Sequence, residues 1–111
     1  MKVNYISTVA INQALLPNML AQGKGTIVLI SSLVGKFGTP FRSAYAASKH
    51  ALHGYYDSLR AELTNKNIQI TIVCPGFIRT NVSINALVGD GSAQNSMDAA
   101  QANGMSPERC A

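Results

Sequence analysis

Two short apolar runs, residues 26–31 (TIVLIS) and 68–73 (IQITIV), flank one long helical segment. Both are rich in β-branched residues and too short for buried helices. Turn signals bound them: Gly23-Lys24-Gly25 precedes the first and Pro75-Gly76 follows the second. Each reads as a fully buried strand, apolar on both faces. Residues 43–67 between them hold no Pro and one Gly, with Ala44, Ala47, Ala51, Leu52, Leu59 and Leu63 supporting a long helix. Strand, long helix, strand is one right-handed crossover joining parallel strands, so the fold class is α/β.

Upstream, Ile6, Val9, Ala10, Leu16, Met19 and Leu20 recur at helical spacing over residues 3–22, with a kink or late break expected at Pro17. Gly35, Gly38 and Pro40 make residues 32–42 a loop. Beyond Thr80 periodicity fades, and residues 81–111 read as an irregular region. Ser106-Pro107-Glu108 has the N-cap, first-turn Pro and acid of a helix start, so a helix is expected there and on into a longer chain. Two strands and two helices alone would leave the sheet edges unpaired and one face bare.

Length and composition suit one unit of 111 residues. The charged fraction, 13%, is about half the usual value, which suggests that something else covers part of the surface. The net charge is +4, but no two basic residues are adjacent, so nucleic acid is not an expected partner. Cys74 and Cys110 lie far apart with no ligand-spaced companion, which indicates reduced thiols, an intracellular setting and no metal site. The longest apolar run, residues 27–30, is far short of the ~20 needed to span a bilayer. No signal peptide is recognisable.

Tyr45 and Lys49 are four apart on the long helix and share a face. A phenol is ordinarily too weak an acid to exchange protons readily at neutral pH, and a neighbouring ammonium favours the phenolate. Taken alone, such a pair is more often an ordinary surface contact. Its setting adds weight. Ser31-Ser32 ends a buried parallel strand, where open α/β sheets place their ligands, and a Ser hydroxyl there can stabilise charge on a carbonyl oxygen. Asn4 read alone is equally a helix-capping residue, Ser31 and Ser32 a strand end, Pro75-Gly76 a strand terminator and Thr80 a cap. His50 and His53 lie beside the Tyr-Lys face and read as solvated or packing residues; Cys74 reads as an inert buried thiol, and Tyr55 and Tyr56 as packing groups.

Together, Asn4, Ser32, Tyr45 and Lys49, followed by the run Pro75-Gly76-Phe77-Ile78-Arg79-Thr80, resemble the catalytic tetrad and Pro-Gly segment of the short-chain dehydrogenases/reductases. The likeness covers residues 3–80. The stretches PFRSAYAASKHA and NVSINALVGDGS are further similar to the member-7 group of that family, the 7B type in particular. The resemblance implies the C-terminal part of a Rossmann-like, doubly wound parallel sheet. It also implies an NAD- or NADP-dependent oxidoreductase interconverting a carbonyl and an alcohol. By it, Tyr45 would exchange the proton with the substrate oxygen. Lys49 would favour the phenolate and hydrogen-bond the nicotinamide ribose. Ser32 would orient the substrate carbonyl, and Asn4 would hold a water linking Lys49 to solvent. Ile78 and Thr80, in the segment opened by Pro75 and Gly76, would contact the nicotinamide carboxamide and the nearby phosphate.

The family's Gly-rich phosphate loop has no counterpart here, since Gly23 and Gly25 precede a strand rather than a helix. The 111 residues are therefore expected to form a partial domain, its catalytic half, inactive and aggregation-prone alone. The alternative is a non-catalytic short product acting through the helices at residues 3–22 and 43–66, which form the dimer contact in the family. The full-length parent is expected to be a homo-oligomer. A non-enzymatic α/β domain with an accidental motif is the third reading. Leu33, Val34, Phe37 and Phe41 are candidates for an apolar pocket, which would suit a hydrophobic carbonyl compound such as a steroid, retinoid or lipid. The member-7 likeness implies an upstream membrane anchor in the endoplasmic reticulum or peroxisome.

Overall fold

Gly25–Ile30 (β1) and Ile68–Val73 (β2) pair in parallel, Gly25 opposite Ile68 and Ile30 opposite Val73. The structure, a computed structural model, describes residues 1–111. The chain divides into two compact units, Met1–Cys74 and Pro75–Ala111.

In the first unit a π-helical turn, Lys2–Ile6, leads into α1, Ser7–Gln22. Pro17 does not break α1. Pro17 and Gln13, whose carbonyl would have received the missing N–H bond, are both exposed, where water can take that bond's place. The helix ends at Gly23, whose φ of 69° is the left-handed cap that glycine adopts without strain. After β1, Ser32 opens a 3-10 turn over Leu33–Gly35, its Oγ accepting from Val34 N at 3.2 Å. The crossover helix α2 spans Ser43–Glu62, shorter than the expected reach to residue 67. It ends in a run of turns from Leu63 on, and at the end of that run Asn67 has a left-handed backbone (φ 54°), its side chain donating to Gly23 O at 3.1 Å while its carbonyl accepts from Gly25 N. That clasp ties the start of β2 to the turn before β1.

The core lies on one face of the sheet. Leu29, Ile68 and Ile70 pack against Leu52, Tyr56, Leu59 and Leu63. Each fully buried side chain of this kind contributes about 1.5–3 kcal/mol. Tyr55 stands edge-on to both Tyr5 and Tyr56, and Asn12 of α1 donates to its hydroxyl at 3.3 Å. The other face is bare, as expected of two strands and two helices taken alone, although each strand read by itself as apolar and buried on both faces. Val28 is 56% and Ile30 59% exposed, because α1 and α2 are built against one side only.

The second unit is held mostly by backbone bonds. Ile78 and Met105 form a parallel bridge, Leu87 and Ala93 an antiparallel one. Two short helices follow, α3 (Ala99–Ala102) and α4 (Pro107–Cys110). The helix start read at Ser106 is present: Ser106 Oγ accepts from Arg109 N, with Pro107 in the first turn. No helix is long and apolar enough to cross a membrane.

Candidate active site

The residues singled out in the first unit gather around the N-terminal half of α2 and the end of β1. The i, i+4 spacing puts Lys49 Nζ 5.7 Å from the centroid of the Tyr45 ring. The same ammonium donates to the carbonyl of Ile30, the last residue of β1, at 3.5 Å. Burial holds its pKa below the ordinary lysine value. Tyr45 is 38% exposed.

Ser32 lies two residues beyond Ile30. Its Oγ accepts from Val34 N, which leaves its O–H hydrogen for a further acceptor. The 3-10 turn that it caps packs against α2. Asn4, in the π-helical turn, reaches α2 through a residue that the sequence did not single out: its Nδ2 donates to Ser48 Oγ at 3.1 Å, and Ser48 donates to the carbonyl of Tyr45 at 2.7 Å. Ser48 sits three residues after Tyr45, a spacing that could have marked it as a neighbour of that backbone turn.

The reading of His50 and His53 needs refining. His50 Nδ1 lies 2.9 Å from the carbonyl of Ala46, an intrahelical contact. His53 is buried, with Nε2 2.8 Å from Ser31 Oγ and 3.7 Å from Cys74 Sγ. Desolvation lowers its pKa first; the positive charges of Lys36, His50 and Lys49 add to this and Asp57 opposes it. Cys74 is half-buried and Cys110 exposed, both as free thiols. Leu33, Phe37 and Phe41 project into solvent, Phe41 with a left-handed φ of 60°.

Pro75, Gly76, Ile78 and Thr80 belong to the second unit. There Gln101, buried and unremarked in the sequence, donates from Nε2 to the carbonyl of Ile78 at 3.0 Å and to Thr80 Oγ1 at 3.1 Å. Thr80 accepts in that bond, so its own hydroxyl hydrogen is left to donate. No run of spacing in the irregular tail could have announced Gln101.

The first unit is thus a parallel α/β crossover with Tyr and Lys four apart beside the strand end, and comparison with known proteins assigns that arrangement to a family. The family model described as short chain dehydrogenase matches residues 1–88. The chain belongs to the short-chain dehydrogenase family. Over 111 residues it is 53% identical to the Drosophila melanogaster protein called dehydrogenase/reductase SDR family protein 7-like, covering all of this chain and 34% of that protein. The Danio rerio dehydrogenase/reductase SDR family member 7B is 51% identical, covering 96% of this chain and 35% of that one. The chain thus spans about a third of the length of the curated relatives it matches.

Among solved structures, a gluconate 5-dehydrogenase from Burkholderia cenocepacia in complex with NADP and tartrate superposes with a TM-score of 0.71 at 29% identity, over 75% of this chain and 32% of that one. A 4-hydroxyisoleucine dehydrogenase complexed with NADH and succinate gives 0.65 at 35% identity, over 69% of this chain and 34% of that one.

Proposed function

We propose that the full-length protein is a nicotinamide-dependent oxidoreductase interconverting a carbonyl and an alcohol, with Tyr45 as the proton-transfer residue. One observation carries this reading: the Lys49 ammonium stands 5.7 Å from the Tyr45 ring and within 3.5 Å of the carbonyl that ends β1. The residues fit a nicotinamide cofactor. Lys49 spends one of its donors on a long bond to Ile30, which leaves others for ribose hydroxyls; in the second unit, taken by itself, Thr80 retains a hydroxyl donor. Relatives in structure bind NADH in one case and NADP in another, which supports either dinucleotide. When bound, such a cofactor supplies or accepts the hydride.

The chain's own residues then handle the substrate oxygen. Ser32 donates its free O–H to that oxygen and orients it. Tyr45 gives its proton to the oxygen in reduction and takes it back in oxidation. Lys49 stabilises the negative charge left on Tyr45. Asn4, whose Nδ2 is committed to Ser48, keeps Oδ1 for a water that links Lys49 to solvent. The exposed apolar residues Leu33, Phe37 and Phe41 favour a hydrophobic substrate such as a steroid, retinoid or lipid carbonyl. The membrane of the endoplasmic reticulum or peroxisome, reached by an anchor outside these residues, is the proposed location.

Turnover of retinal, a steroid ketone and a fatty aldehyde by the full-length protein, followed by reduced-nicotinamide absorbance, tests the reading. Tyr45→Phe is expected to lower kcat by about 10²–10⁴-fold, and unchanged turnover would overturn the assignment. A second reading, a non-catalytic short product that pairs with intact subunits, is favoured by the exposure of Ile11 and Leu15 on α1. Co-purification of the 111-residue chain with the full-length protein would support it.

A further inference from the structure

His53 is a buried group that no step of the proposed chemistry uses. It follows Lys49 by one turn of α2 and is 6% exposed. Its Nε2 meets Ser31 Oγ at 2.8 Å and Cys74 Sγ at 3.7 Å. Ser31 directly follows β1 and Cys74 directly follows β2, so one imidazole touches the C-terminal ends of both strands. Gly35 closes a third side. A Cβ on that residue would fall 2.5 Å from Nε2 and 3.0 Å from Ser31 Oγ, so only hydrogen fits between the 3-10 turn and the ring.

A packing role alone does not account for this arrangement. His53 Nδ1 is buried without a hydrogen-bond partner, a cost that an apolar side chain of similar volume would not carry. Whichever tautomer is present, Nε2 serves Ser31 and Nδ1 is left over. The polar contacts of the ring therefore all run through Nε2, to Ser31 and Cys74. Ser31 also donates its N–H to the carbonyl of Val73 at 2.8 Å, so side chain and backbone of this residue are both pinned.

We infer that His53 is a positioning residue: it clamps Ser31 and Gly35, on either side of Ser32, to the helix that carries Tyr45 and Lys49. The inference rests on the reading of Ser32, Tyr45 and Lys49 proposed above. A Ser32 hydroxyl displaced by a fraction of an ångström would still bind substrate but would hold its oxygen off line from Tyr45.

The test uses the full-length protein with retinal and a steroid ketone as probes. His53→Leu keeps volume and deletes the bond, Ser31→Ala removes the other partner, and His53→Gln returns an amide near the place of Nε2. In the first two, kcat is expected to fall roughly tenfold or more while the cofactor KM stays within about twofold, with most of kcat recovered in His53→Gln. Amide hydrogen exchange over residues 31–35 is expected to quicken in His53→Leu and Ser31→Ala, and to stay at the wild-type rate in His53→Gln. Wild-type kcat in His53→Leu, or a loss that His53→Gln does not recover, overturns the inference. Should His53→Leu fail to fold, the Ser31→Ala and His53→Gln pair decides by the same criteria. If the wild type reduces neither probe and Tyr45→Phe changes nothing, the proposed function fails instead. The exchange rates then decide alone: quickening confined to residues 31–35 upholds the clamp, and unchanged rates remove it.

Discussion

Asn4 and Ser48 share a 3.1 Å hydrogen bond, and Ser48 carries it on to the carbonyl of Tyr45 at 2.7 Å. Ser48 is 1% exposed, and both bonds are partly buried. The π-helical turn of Asn4 is thereby fastened to the backbone at Tyr45. Ser48→Ala strands the Asn4 amide beside a methyl group and is expected to cost about 1–3 kcal/mol. Urea denaturation of the full-length protein measures it, and an unchanged midpoint would mean that water replaces the hydroxyl.

Gly35→Ala is expected to destabilise by about 1–3 kcal/mol, because the added methyl has to push His53 off its contact with Ser31. The pair Gly35→Ala and His53→Leu should be non-additive, since both act on one contact. Additive losses in a double-mutant cycle would show that the glycine serves only its own backbone.

His53 gives the fold a predictable response to acid. Burial, together with Lys36, His50 and Lys49 and against the opposing Asp57, sets its pKa below the ordinary histidine value. A base whose folded pKa is depressed binds its proton more readily when unfolded, so stability rises with pH across the interval between the two values. The contribution is complete above the unfolded value, near ~6.5, and is lost as pH falls from there toward the lower folded value. Thermal midpoints measured on either side of this interval should drop on the acid side, and His53→Gln should flatten the drop. An equal slope in the variant would assign the acid sensitivity elsewhere.

Val28, Ile30 and Val73 form an apolar strip on the uncovered face of the sheet. Expressed as 111 residues alone, the chain should bind hydrophobic dyes and self-associate. Val28→Thr with Ile30→Thr keeps β-branched side chains and should lower both. Sedimentation velocity checks the result, and a monomeric wild-type chain that ignores the dye would contradict it.

The crossover was legible because Gly23, Gly25, Pro75 and Gly76 punctuate two runs of Ile and Val, and strand spacing shows in such runs. Asn4, Ser32, Tyr45 and Lys49 stood out as a candidate set only through the family resemblance that their joint spacing carries. What the sequence withheld was tertiary. Burial of Val28 and Ile30 depends on whether anything lies over that face, and nothing local to those residues says so. His53 looked like a bystander because its partners, Ser31 and Cys74, are brought to it by the two strands rather than by its own helix. The end of α2 was overshot since residues 63–67 carry no Pro or Gly to mark the turns that follow Glu62.

The parallel register also sets an order of events during synthesis. β1 leaves the ribosome a whole helix ahead of the strand that it pairs with, and Ile30 has no partner until Val73 is made. During that delay α2 can wind from local contacts, and Leu52, Tyr56 and Leu59 can shelter Leu29 before any ladder bond exists. Closing the ladder then waits on loop closure over the entire crossover. A slowly translated stretch further downstream, reached once β2 has cleared the ribosome, would give that step time to finish, whereas a release of the chain before β2 is made would deliver β1 to chaperones as an unpaired strand.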